Sequence, residues 1–221
     1  MIFKYFLSEI LKGKSIGRAL LFCELKNLFQ KEKWLNNKYS VLEMGSESAS
    51  HQRTFPKEWI IKKSNYVQIP DLYLDYIFSV EEKFSIPDKK FDGIVFFNLL
   101  YLVDNYMNCL SESLRISAKF ILFNIPLISG VAKHPTDFNR FTEDRLISIF
   151  RELKKKRKIL EFKIIKFGGS FSSAVNLIDC YLKFRIIKIP IYLIVLLLDK
   201  LDKLIKRDCP MQYLVLIKNY E

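Results

Sequence analysis

A chain of 221 residues and 26.2 kDa suffices for one well-buried domain and is too short for two generous ones. Half of it is apolar and 14% is aromatic, which excludes a disordered chain, because that much apolar surface offsets the entropy of ordering. A formal charge of +12 suits phosphate-rich partners in general, but the basic residues are spread over the whole length, so a solvated basic surface is the simpler reading and nucleic acid is not the expected partner.

Residues 1–37 carry two apolar sets at helical spacing, Phe3, Phe6, Leu7, Ile10 and Leu11, then Leu21, Leu25, Leu28 and Phe29, and predict an N-terminal helical cap. Tyr39 to Met44 is a β-favouring run that stops at Gly45 and passes into the polar stretch Ser46 to Ser50, the pattern of a strand followed by a ligand-sized loop. Further strands are expected over Trp59 to Ile69, near Leu74 to Phe78, and over Phe91 to Phe97, apolar from Ile94 onward, after the turn at Ile86 to Lys90. A helix follows with Leu99, Leu102, Val103, Met107, Leu110 and Leu114 on its apolar side. Phe120 to Ile125 reads as a strand buried on both faces and stopped by Pro126. After a long loop to Arg140, Thr142-Glu143-Asp144 opens a helix that ends near the basic run Lys154 to Lys158, where cations suit the helix terminus. Phe162 to Phe167 is a strand, helices fill 170–207, and Gln212 to Ile217 closes the chain as a strand.

Strands alternating with helices predict an α/β fold: a mostly parallel central sheet with helices on both faces. The chain divides into the cap at 1–37, a core at 38–170, a helical insertion at 171–208 and a closing strand at 209–221. Ligands in such sheets bind beyond the carboxyl ends of the strands, so function is sought in the loops after Met44, Ile69, Phe97 and Ile125. Four scattered cysteines without a C-x-x-C pair and two histidines support neither a zinc site nor a disulfide framework, and no metal is expected. Lys4, Glu9 and Lys12 interrupt the apolar N-terminus before a signal-peptide core forms. The run Ile189 to Leu198 falls short of the ~20 residues that span a bilayer. A cytoplasmic chain is the resulting expectation.

Four strings, in this order and spacing, resemble the class I S-adenosylmethionine-dependent methyltransferases, in particular the methyltransferase type 11 group. They are Val41-Leu42-Glu43-Met44-Gly45; Ile86-Pro87-Asp88-Lys89-Lys90-Phe91-Asp92-Gly93-Ile94-Val95; Asn98 to Val103 together with Glu112-Ser113-Leu114-Arg115; and Pro126 followed by His134-Pro135-Thr136-Asp137-Phe138-Asn139-Arg140-Phe141-Thr142. The resemblance covers roughly residues 38–170 and returns at the final strand. It implies a Rossmann-like methyltransferase fold and S-adenosylmethionine as cofactor, while the basic, apolar C-terminal segment suggests a small or carrier-linked methyl acceptor such as a glycan or lipid intermediate. It places Glu43, Gly45, Ser46, Asp71, Asp75 and Asn98 on the cofactor, and His134, Asp137 and Arg140 on the acceptor. The glycines that the family carries beyond the first are replaced by Ser46, Glu47, Ser48 and Ala49, a degenerate cofactor loop.

Each assignment has a structural counterpart. Glu43 could equally cap backbone donors. His134, Asp137 and Arg140 share one face if their segment is a helical turn, with histidine as base, aspartate orienting it and arginine holding an anion; alternatively Asp137 and Arg140 only fix the loop. Residues 184–207 join an apolar core to Lys200, Lys203, Lys206 and Arg207. Such a helix could pack on the sheet, form a dimer surface, or make a peripheral contact with an anionic membrane. The competing function is a non-catalytic binding or assembly protein of the same fold. An open space beyond Met44 and Ile69 favours catalysis, and one filled by Glu47, His51 or Arg53 favours the alternative. An RNA methyltransferase ranks last, because no basic aromatic surface is recognisable.

Overall fold

The computed structural model describes residues 2–46, 51–156, 158–182 and 184–220. Two helices, α1 (Ile2–Leu11) and α2 (Ile16–Lys31), precede β1 (Ser40–Met44), β2 (Ile60–Asn65), β3 (Tyr76–Ile77) and β4 (Phe91–Phe97). There follow α3 (Tyr106–Ile116), β5 (Ser117–Pro126), α4 (Glu143–Lys155), β6 (Glu161–Phe167), α5 (Ser170–Ile178), α6 (Arg185–Leu204) and β7 (Gln212–Lys218). The seven strands form one sheet in the order β3-β2-β1-β4-β5-β7-β6. β1 to β5 are mutually parallel, while β7 runs antiparallel between β5 and β6. The expected α/β sheet with helices on both faces is present.

Alternation along the central strands divides the core. Leu42, Ile94, Phe96, Ile121 and Phe123 face α3 and α4, whereas Val41, Val95, Leu122 and Leu214 face α2 and a cluster of aromatic rings. α1 and α6 form an outer layer on α2 through Phe6, Ile10, Ile16 and Tyr192. Three connections between parallel strands carry little helix. Among the described residues only a 3-10 turn at Gln52–Thr54 lies between β1 and β2, and none lies between β2 and β3 or between β3 and β4. Parallel neighbours usually connect through a helix. Here Trp34, Phe55 and Trp59 fill the corresponding space, with Trp34 stacked on Phe120 at 4.3 Å and Phe29 meeting Trp59 at 5.1 Å. Gly93 is required under this stack, because a Cβ there would sit 2.2 Å from the Phe120 ring. The β3–β4 connection is pinned by Arg115, which donates to the carbonyls of Ile86 and Phe84 and to Asp88 and Glu112.

Two boundaries differ from expectation for local reasons. β2 ends at Asn65, not Ile69, because the Asn65 amide turns back on the chain: its Oδ1 accepts from Tyr66 N–H at 2.7 Å and its Nδ2 donates to the Ser46 carbonyl at 3.0 Å. The helix expected from Leu99 begins only at Tyr106, capped by Asn105. Its would-be first carbonyls are taken elsewhere, Tyr101 O by Phe138 and Asn139 N–H, and Val103 O by the Asn139 amide. Residues 131–142 run as turn and coil, not as a helical turn. α4, by contrast, opens where the sequence places it, with Thr142 Oγ1 accepting from Arg145 N–H and Glu143 and Asp144 in the first turn.

Candidate functional site

In a sheet of this order the strand direction of progression reverses between β1 and β4, and the crevice beyond their carboxyl ends is the expected ligand position. β1 ends in Glu43, Met44 and Gly45. Gly45 has φ +69°, and a Cβ there would meet Leu99 Cδ1 at 3.2 Å, so the turn leaving β1 depends on glycine. Ser46 is buried and serves the turn: its N–H donates to Ser64 O and its hydroxyl to Glu43 O. Glu47, Ser48 and Ala49 lie outside the described residues.

Glu43 is 2% exposed on the α2 face. Among the described residues its carboxylate has only long contacts, Gln52 Nε2 at 3.4 Å and His51 Nδ1 at 3.5 Å. The His51 ring lies against Phe97 (4.8 Å) and edge-on to Phe22 (5.8 Å), and its Nε2 is buried with no hydrogen-bond partner. His51 therefore occupies part of the space beyond β1, while Arg53 is exposed. A buried carboxylate without a close cation is costly and is suited to receive a ligand ammonium.

Next to it, β4 ends at Asn98 with φ +50°. The Asn98 N–H donates to Asn124 Oδ1 at 2.9 Å, Asn124 Nδ2 returns a bond to Asn98 Oδ1 at 2.9 Å, and the same nitrogen donates to Gln212 Oε1 at 2.7 Å. Asn124 is fully buried. This amide chain links the carboxyl ends of β4 and β5 to the start of the antiparallel β7. The N-terminus of α2 closes over it. Gly17 N–H donates to Asn176 Oδ1 on α5, and a Cβ at Gly17 would lie 2.8 Å from Gln212 Nε2 and 2.9 Å from Asn176 Oδ1. Between these elements is a cleft of about 190 Å³, bordered by Arg18, Asn98, Tyr101, Ser129, Asn176 and Gln212. That is below the ~300 Å³ at which sites enclose a drug-sized ligand, so among the described residues the cleft suits an acceptor group rather than a whole cofactor. A larger hollow of about 400 Å³ beside Trp34, Tyr39 and Tyr220 lies at the opposite end of the sheet, where β5 begins.

Asp137 and Arg140 form an ion pair that also takes in Ala132 N–H and the Gly130 carbonyl, and the Arg140 guanidinium lies 5.1 Å over the Tyr101 ring. The pair thus borders the cleft. His134 is exposed on the adjoining turn and shares no hydrogen bond with it. Two expected cofactor residues stand away from this centre. Asp71 is exposed, six residues past the end of β2, and Asp75 lies on the sheet edge, bonded to Lys62 Nζ at 2.7 Å and to Lys63 N–H. Those bonds hold Asp75 below the usual carboxylate range against the opposing effect of its burial. Burial pushes the Cys23 and Cys109 thiols up to about 12, so neither is a thiolate nucleophile at neutral pH. Among the described residues no group of His, Cys, Asp or Glu could hold a metal ion.

Sequence reasoning did not single out Asn124, Gln212, Gly17, Arg18 or Asn176. Asn124 had a readable signal, a polar residue inside an apolar strand that must find partners when buried.

The fold is similar to that of solved structures. An S-adenosylmethionine-dependent methyltransferase from Archaeoglobus fulgidus superposes with TM-score 0.55 at 17% identity, over 88% of this chain and 93% of that one. The YcgJ protein from Bacillus subtilis gives 0.55 at 10% identity over 90% and 99%. The CurJ carbon methyltransferase gives 0.56 at 8% identity over 92% and 55%. The fold is that of the S-adenosylmethionine-dependent methyltransferases. No family model and no curated protein matches the chain in sequence.

Proposed function

We propose that this methyltransferase-fold chain is an S-adenosylmethionine-dependent methyltransferase, of the type 11 kind with a degenerate cofactor loop, acting on a small or carrier-linked acceptor. The single observation that carries the reading is the end of β1. A glycine with positive φ and a buried carboxylate with no close cation among the described residues stand side by side at the switch point of the sheet. When bound, the cofactor supplies an electrophilic methyl group on a sulfonium. The residues of this chain would orient it: Gly45 and Ser46 by close backbone approach, Glu43 by receiving an ammonium in place of His51, and Asn98 from the end of β4. Asp71 and Asp75 would have to act from the β2–β3 edge, and Asn65, at the end of β2, is nearer the position from which a ribose is held in such folds.

The acceptor side is the cleft. Its neutral amides match hydroxyl groups, and Arg18, which has no ion-pair partner among the described residues, matches an anionic group. A glycan or lipid intermediate carries both. Asp137 and Arg140 frame this side, and His134 is the candidate base.

Calorimetric titration with S-adenosylmethionine and S-adenosylhomocysteine tests the reading. Micromolar binding is expected, abolished by Gly45→Trp and weakened roughly tenfold to a hundredfold by Glu43→Gln, the worth of one charge-assisted bond. His51→Ala should tighten binding, since it clears the carboxylate. A folded wild-type chain that takes up neither compound would sink the proposal and leave a non-catalytic binding or assembly protein.

A further inference from the structure

The layer formed by α5 and α6 carries more apolar surface than the sheet uses. On α6 the inward side chains are Tyr192 and Val195, which pack against α1 and α2. The opposite face exposes Ile187, Ile194, Leu197, Leu201 and Leu204. Their spacing of seven, three, four and three places them on one helical stripe, about 26 Å long at 1.5 Å per residue. The loop before the helix adds Tyr181 at 79% and Phe184 at 72% exposure. A row of this kind is not the scatter of single exposed side chains normal on a surface.

The charges around the stripe are one-sided because its acids are already used. Asp202 accepts from Ser170 N–H at 2.7 Å, and Asp199 accepts from Phe171 and Ser172 N–H at 2.9 and 3.0 Å, so both cap the N-terminus of α5. Asp208 is bonded to Lys166 and Asp179 to Lys188. Lys200, Lys206 and Arg207 are exposed and have no ion-pair partner among the described residues. A second copy laid on this face would set cations against cations. An anionic lipid surface would meet both features, taking the apolar stripe into the acyl boundary and the cations at its headgroups.

We infer that the α5–α6 face docks the protein on anionic lipid bilayers as an interfacial helix. No helix of the described residues is long and apolar enough to cross a membrane, so the contact is peripheral. α5 also bears Asn176 on the cleft, so docking through this layer would hold the cleft close to a lipid-borne acceptor. The docking itself does not depend on the proposed methyl transfer.

Vesicle flotation with the full chain tests it, using phosphatidylcholine vesicles with and without phosphatidylserine. Retention should require phosphatidylserine and fall with added salt. Lys200→Gln/Lys206→Gln/Arg207→Gln should weaken it on the order of a hundredfold, from roughly fivefold per cation, and Leu197→Ser/Leu201→Ser should abolish it. All these positions are exposed, so circular dichroism should show unchanged folding. Absence of phosphatidylserine-dependent retention overturns the inference, as does retention unmoved by both variants. Light scattering that finds a dimer, dissociated by Leu197→Ser, overturns it in favour of a second copy.

Discussion

Asn124→Ala removes the centre of the amide chain that ties β4, β5 and β7 together. The Asn98 N–H and Gln212 Oε1 lose their partners, and Gln212 is only 8% exposed. Each orphaned buried group costs about 1–3 kcal/mol. The cleft lets water reach part of the site, so the sum should fall near the lower end, about 3 kcal/mol. At this chain length that corresponds to a loss of roughly 6–12 °C in melting temperature. Gln212→Ala alone should cost about 1 kcal/mol, because Asn124 Nδ2 keeps its bond to Asn98. Since the two residues share one network, the double variant should be milder than the sum by roughly 1–2 kcal/mol. Thermal melts of the four proteins give the cycle. Asn98 would also lose the bonds that hold it at positive φ, and affinity for S-adenosylhomocysteine should fall on the order of tenfold. A melting temperature for Asn124→Ala within about 2 °C of wild type, or strict additivity in the cycle, would refute the network as the organiser of this end of the sheet.

Gly93→Ala places a methyl group 2.2 Å from a Phe120 ring that Trp34 backs at 4.3 Å. The ring can move only by leaving its stack on Trp34 for the neighbouring hollow, so denaturant melts should show a loss of about 1–3 kcal/mol, partly restored by Phe120→Leu. The Arg115 guanidinium holds the Glu112 carboxyl below its ordinary range. A depressed folded pKa contributes stability that is complete above the unfolded value of about 4.3 and is lost as pH falls through the folded value. Arg115→Met should therefore destabilise the protein at neutral pH and less so in acid; an unchanged difference across an acid titration would show that Arg115 acts only through the Phe84 and Ile86 carbonyls.

What was legible in the sequence was local. Gly45 after an apolar run, Thr142-Glu143-Asp144 before an amphipathic one, and Asn98 after a buried strand each carry their structural reason within a few residues. The order of strands and helices then determined the sheet. Two kinds of information were not local. Asp71 was aligned on a strand that would continue to Ile69, but Asn65 stops that strand by bonding Ser46, nineteen residues earlier in the chain. The helical turn that would have gathered His134, Asp137 and Arg140 is absent because Tyr101 O receives Phe138 and Asn139 N–H and pulls the segment open. Only Asp137 and Arg140 are left together.

The least predictable part of the site is its roof. With a 3-10 turn alone between β1 and β2 among the described residues, the face that bears Glu43 and Asn124 would be open to water. α2, which directly precedes β1 in the chain, covers it, and its first turn, not its apolar side, meets the polar end of the sheet. Gly17 permits this, because any side chain would displace the Gln212 and Asn176 amides. The first turns of the helix therefore bring Ser15, Gly17 and Arg18, with Leu21 behind them, to the cleft, and the positive end of its dipole points at the place where an acceptor would sit. Read as an isolated segment, residues 1–37 are a hydrophobic cap. In the folded chain α2 is both that cap and one wall of the candidate site, and it is the wall best suited to select for negative charge.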